Sequence, residues 1–135
     1  MRAAPAERPF RFRRMRKIDL ARWNGVHYLG HMVQTLTPQE MSALLVSGGV
    51  DVVDIRDTQE WSDGHIPGAR LLPLDELRAD PEKTLPRSNI VFVCGRGLRS
   101  LAAARLADRL GIDKVYSLDG GISNWTRAGL GLVPG

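Results

Sequence analysis

The chain has 135 residues, with 43% hydrophobic and 25% charged residues, a formal net charge of +4 and a pI near 9.8. That length supports one domain with a self-sufficient core, and the composition excludes disordered and collagen-like classes without naming a function. A lone cysteine cannot form an internal disulfide, which suits a reducing compartment, and no apolar run approaches the ~18 residues of a membrane helix, so the expected setting is the cytoplasm.

The charge is unevenly placed. Residues 1–17 hold Arg2, Arg8, Arg11, Arg13, Arg14, Arg16 and Lys17 against Glu7 alone, whereas residues 18–135 carry 12 basic and 14 acidic groups. The globular part is therefore not basic, and no specific nucleic-acid partner is expected. An Arg-rich start suits nucleic acid, acidic lipid or a docking partner, and its scarcity of acids is that of an organelle transit peptide. The reading adopted is a flexible extension over residues 1–31 ahead of a folded domain at 32–135, because no apolar pattern supports the basic run. His27 and His31 are spaced i, i+4, but no carboxylate or thiol companion stands nearby, so no metal is assigned to them.

Residues 33–36 are expected to form a short first strand. Thr37-Pro38-Gln39-Glu40 is a capping box with proline at the first helical position, which starts a helix that Gly48-Gly49 stops, with Met41, Leu44 and Leu45 facing inward. Residues 50–55 are β-branched and apolar enough for a buried strand, and Asp57-Thr58-Gln59-Glu60 repeats the capping pattern for a short helix. The run Gly64-His65-Ile66-Pro67-Gly68 forces a turn. A short strand is expected at 69–72, a helical turn at 74–78, a polar connection over 80–86, a central strand at 90–93 and a long helix over 100–110 ended by Gly111. A last strand at 115–118 leads through Gly120-Gly121 into a helix near 122–128. Strands alternating with helices predict an α/β fold, a mostly parallel sheet of about five strands with helices on both faces.

Ligands in such sheets sit at the carboxyl ends of strands, where Cys94 falls. The loop Cys94-Gly95-Arg96-Gly97-Leu98-Arg99-Ser100 can form a cup, because Gly95 and Gly97 allow backbone angles and approaches that a side chain would block. Its amides then converge on the sulfur beside a helix N-terminus, and Arg96 and Arg99 add two cations. Both effects favour the thiolate and an anionic group carried on it. The competing reading is a buried structural cysteine followed by incidental arginines.

Three separated segments decide between these. Val52-Val53-Asp54-Ile55-Arg56 with Glu60-Trp61 and Gly64-His65-Ile66-Pro67-Gly68-Ala69, Val115-Tyr116-Ser117-Leu118-Asp119-Gly120-Gly121 with Trp125 and Gly129, and Cys94 between them resemble the signatures of the rhodanese family of single-domain sulfurtransferases. The likeness runs from about Thr37 to Leu132. One departure is Gly131, where the family often has proline after the final glycine and leucine. The resemblance implies a rhodanese-like sandwich and a thiosulfate:cyanide-type reaction, in which sulfane sulfur passes through a persulfide on Cys94 to a nucleophilic acceptor. It implies no metal and no organic cofactor. The partners would be a small sulfane donor such as thiosulfate and a thiol or protein acceptor.

Within that resemblance, residues 95–100 hold the persulfide, Arg96 binds the donor and Arg99 is the more structural member of the cup. Asp54 and Arg56 are expected to pair and brace the active loop. His65 reads as a structural hydrogen-bonding residue in its turn, and Trp61 and Trp125 as core fillers. A cysteine phosphatase or arsenate reductase is a rival, but Cys94 and Arg99 enclose four residues, one fewer than in the related cell-cycle phosphatases, and Val93 stands where those have histidine. A sulfur carrier or a regulatory binding module on the same fold is the other rival.

Overall fold

The computed structural model describes residues 33–85 and 88–135. The expected extension at 1–31, with His27 and His31, lies outside them. In chain order the elements are β1 (Val33–Leu36), α1 (Pro38–Ser47), β2 (Asp51–Asp54), α2 (Thr58–Asp63), β3 (Arg70–Leu71), α3 (Leu74–Ala79), α4 (Pro81–Thr84), β4 (Ser88–Val93), α5 (Leu98–Arg109), β5 (Asp113–Leu118) and α6 (Gly121–Arg127). The strands form one sheet in the order β1-β5-β4-β2-β3, and every pairing is parallel.

Parallel neighbours need crossovers, and the helices that make them cover both faces of the sheet. Side chains therefore alternate between two cores along each strand. In the central strand β4, Ile90 and Phe92 enter one core with Val53, Leu77, Ala103, Ala107 and Val115. Val91 and Val93 enter the other with Met41, Val52, Ile66, Leu118 and Trp125. All four β4 residues from Ile90 to Val93 are fully buried, which explains the continuous apolar run in the sequence.

Local signals account for most boundaries. Thr37 caps α1 through its hydroxyl on the Glu40 amide while Glu40 accepts from the Thr37 amide, and Asp57 and Glu60 repeat this reciprocal pair at α2. The polar connection expected over 80–86 contains a helix: Pro81 starts the one-turn helix α4, which delivers Leu85 into the core, while Pro86 lies outside the described residues. The helix expected at 100–110 begins two residues earlier, at Leu98, because Gly97 takes a positive φ of 96° and turns the chain directly into it. The strand at β3 is only two residues long.

Several contacts fasten the carboxyl-terminal segment. Trp125 Nε1 donates to the Gly131 carbonyl at 2.9 Å, and His65 and Val133 exchange backbone hydrogen bonds. No helix among the described residues is long and apolar enough to cross a membrane. Phe92→Ala, at the centre of β4, is expected to lower unfolding free energy by about 3–5 kcal/mol. Urea denaturation of the variant measures this, and a loss below about 1 kcal/mol would show that β4 is not the packing centre.

Candidate active site

Strand β4 ends at Val93, so Cys94 emerges at the carboxyl edge of the sheet with its side chain still pointing into a core, 1% exposed. The chain then reverses over Gly95, Arg96 and Gly97. The amides of Gly97 and Ser100 donate to Cys94 Sγ at 3.1 and 3.2 Å. Burial alone would raise the thiol pKa. The Ser100 hydroxyl and the amides of Ser100, Gly97 and Arg96 outweigh it, and the pKa lies below its ordinary value.

Ser100 is fully buried, and its hydroxyl lies 2.8 Å from that of Ser117, itself buried. A hydroxyl has one proton, so when Ser100 gives its proton to the sulfur it accepts from Ser117. Ser117 stands in the segment from Val115 to Gly121 that carries the family resemblance, but its contact with Ser100, 17 positions away, has no local signal in the sequence.

Two glycines make the cup possible. A Cβ on Gly97 would come 2.9 Å from the Gly120 amide nitrogen, and one on Gly121 would overlap the Cys94 carbonyl oxygen. That close approach lets the amides of Ile122 and Ser123 donate to the carbonyls of Cys94 and Gly95 at 2.9 and 3.0 Å. The glycine pair at the start of α6 is therefore part of the cysteine loop's support.

Cys94 lines a pocket of about 350 Å³ together with Glu60, Arg96, Leu98, Arg99 and Ser123. Arg96 is exposed at the loop apex and Leu98 is 80% exposed at the rim. Arg99 lies in the first turn of α5, where both of its terminal nitrogens donate to the two carboxylate oxygens of Glu60 at 3.1 Å. This pairing lowers the Glu60 pKa and raises that of Arg99. Glu60 was read from the sequence as a helix-capping residue. The same carboxylate also lines the pocket. A larger, mostly apolar depression of about 470 Å³ beside Ser42, Leu45, Val46, Trp125 and Leu132 has no cysteine, histidine or charged side chain in its lining, so its size does not mark it as a reaction site.

Asp54 and Arg56 form the expected ion pair, with Arg56 Nε to Oδ1 at 3.0 Å and Nη2 to Oδ2 at 2.9 Å, both side chains buried. Its further partner is the Gly64 carbonyl, 2.7 Å from Arg56 Nη2. The pair thus ties the end of β2 to the end of α2, the helix that presents Glu60, rather than bracing the cysteine loop, which its side-chain hydrogen bonds do not reach. His65 stacks on Trp61, ring centroids 3.5 Å apart, with Nδ1 3.1 Å from the Trp61 carbonyl. These contacts account for its ring within the turn.

A family model described as the rhodanese-like domain matches residues 37–128. The chain belongs to the rhodanese-like family. This domain is 37% identical over 98 residues to the thiosulfate sulfurtransferase GlpE of Shewanella oneidensis, covering 69% of this chain and 92% of that protein. Among solved structures, a rhodanese-related protein of Thermoplasma volcanium is 27% identical with a TM-score of 0.67, covering 74% of this chain and 97% of that one. A Rhodopseudomonas palustris protein of unknown function, described as a possible tyrosine phosphatase, is 28% identical with a TM-score of 0.65, covering 98% and 100% of the two chains.

Ser100→Ala removes the hydroxyl that favours the thiolate, so the pH midpoint for alkylation of Cys94 by iodoacetamide should move upward from the wild-type value. In the wild type the folded thiol ionises below the unfolded one. Its ionisation thus adds stability above the unfolded pKa, and that gain disappears as pH falls through the folded pKa. An unchanged midpoint in the variant would assign the depression to the backbone amides alone.

Proposed function

We propose that this protein is a sulfurtransferase of the thiosulfate sulfurtransferase type, with Cys94 as the catalytic nucleophile. The observation that carries the reading is a single thiol, depressed in pKa by amides and a hydroxyl, on a residue that lines a small pocket with Arg96 and Arg99. The relationship to GlpE supports the same chemistry.

In this mechanism the Cys94 thiolate attacks the outer sulfur of a sulfane donor such as thiosulfate. A sulfur–sulfur bond forms to Cys94, the donor's sulfur–sulfur bond breaks, and sulfite leaves with the electron pair. The product is an anionic persulfide. A nucleophilic acceptor, cyanide in an assay and a thiol or protein thiol in a cell, attacks the terminal sulfur and regenerates the thiolate. Both steps place negative charge on sulfur, so the amides of residues 95–100 and the α5 N-terminus act on every charged state along the path. Gly95 and Gly97 let that backbone approach, Leu98 borders the entrance, and Ser100 supplies a hydroxyl. Arg96 attracts the anionic donor, while Asp54 and Arg56 act at a distance by holding the turn behind α2. The chemistry asks for no metal or organic cofactor.

The catalytic unit in this reading is residues 32–135, with 1–31 as an extension. A free nucleophilic thiol needs reducing surroundings, which supports a cytoplasmic setting. Incubation with thiosulfate should add one sulfur atom to the intact mass, and added cyanide should yield thiocyanate with turnover. Cys94→Ser should lose both signals. Hydrolysis of an aryl phosphate without sulfur uptake would favour the phosphatase chemistry suggested for the Rhodopseudomonas palustris protein, and silence in both assays would favour a binding module.

A further inference from the structure

Two arginines border the pocket, yet they do not present equal charge to a ligand. Arg99 is held at both terminal nitrogens by Glu60, whose carboxylate also lines the pocket. A Cβ placed on Gly95, next to the nucleophile, would lie 3.3 Å from Arg99 Nη2 and 3.8 Å from Glu60 Oε2, so the pair stands directly over the cysteine loop. Nearby Arg56 is matched by Asp54, and Asp57 adds a further negative charge at the α2 cap. Among the described residues Arg96 is the lining cation with no carboxylate partner.

Against that single cation, thiosulfate brings two negative charges toward a thiolate that already carries one. The Glu60 carboxylate opposes the dianion more strongly than a monoanion, because its repulsion scales with ligand charge. Exposed Leu98 at the rim offers apolar surface that thiosulfate cannot use and an organic substituent can.

We propose that Glu60 is the specificity-determining residue of this pocket, cancelling Arg99 so that the site favours singly charged sulfane donors bearing an organic group over dianionic thiosulfate. This inference rests on the sulfur-transfer reading. The transfer remains balanced for such a donor: with methanethiosulfonate, the Cys94 thiolate takes the outer sulfur and methanesulfinate leaves with the bonding pair.

Glu60→Gln tests this with little structural change, since glutamine at the same position also completes a capping box and keeps an oxygen acceptor for Arg99. The readout is kcat/KM for thiosulfate divided by kcat/KM for methanethiosulfonate, in which any common effect on the thiolate cancels. Glu60→Gln should raise that ratio about 3- to 10-fold, the size expected of one unit charge several ångströms away in a largely solvated pocket. Arg99→Gln, which exposes the pocket to an uncompensated Glu60, should lower it. A ratio unmoved in Glu60→Gln, or moved upward in Arg99→Gln, overturns the role of Glu60 while leaving sulfur transfer intact. Failure of the wild type to take sulfur from either donor overturns the sulfur-transfer reading, and this inference with it.

Discussion

The cysteine loop is governed by a constraint on its backbone. To aim the amides of Gly97 and Ser100 at one sulfur atom, the chain must curl so tightly that carbonyls of the same loop face outward, where they need donors of their own. The amides of Ile122 and Ser123 supply them to Cys94 and Gly95. This requires the start of α6 to sit almost in contact with the loop, which in turn requires a residue without a side chain at 121. The loop after β4 and the turn after β5 are therefore one device. Their adjacency follows from the β4–β5 pairing, which brings Phe92 opposite Ser117 and leaves both following turns at the same edge of the sheet.

The electrostatics of the sulfur follow from the same geometry. Cys94 is buried, and burial by itself favours the neutral thiol. Fixed donors reverse the preference without adding a residue of opposite charge in direct contact. Such dipoles cannot be titrated away, and they do not reorganise when charge moves from one sulfur to the next. The Ser117–Ser100 pair extends this arrangement one strand deeper, because its buried hydroxyls satisfy each other while one proton remains available to the sulfur.

The fold was legible where local and global preferences agree. Both capping boxes, the apolar central strand and the alternation of strands with helices specify a covered parallel sheet, and the five strands do pair in parallel. From Asp80 to Leu85 a polar composition hides a proline-initiated helical turn that brings Leu85 into the core. The cysteine, its glycines and its arginines were visible as a contiguous motif. The partnership of Arg99 with Glu60 was not, since 39 positions separate them and Glu60 already had a complete local explanation as a cap. In the same way, Asp54 and Arg56 could be paired from the sequence, but the Gly64 carbonyl that receives a further Arg56 N–H could be found only from the folded chain.

The two ion pairs near the site differ in what they can do. Asp54–Arg56 is buried, with side chains 1% and 7% exposed. Removing one partner would strand a charge, at a typical cost of about 3–5 kcal/mol, so this pair serves to fix the end of α2. Arg99–Glu60 is much more open, with side chains 44% and 35% exposed. Pairs of that kind add little to stability, because water screens them and long side chains lose freedom in forming them. Stability is thus a weak reason for holding a carboxylate at the edge of a pocket built to stabilise anions. Its field on an incoming ligand is the larger effect, and α2, fastened from behind by the buried pair, keeps that field in place.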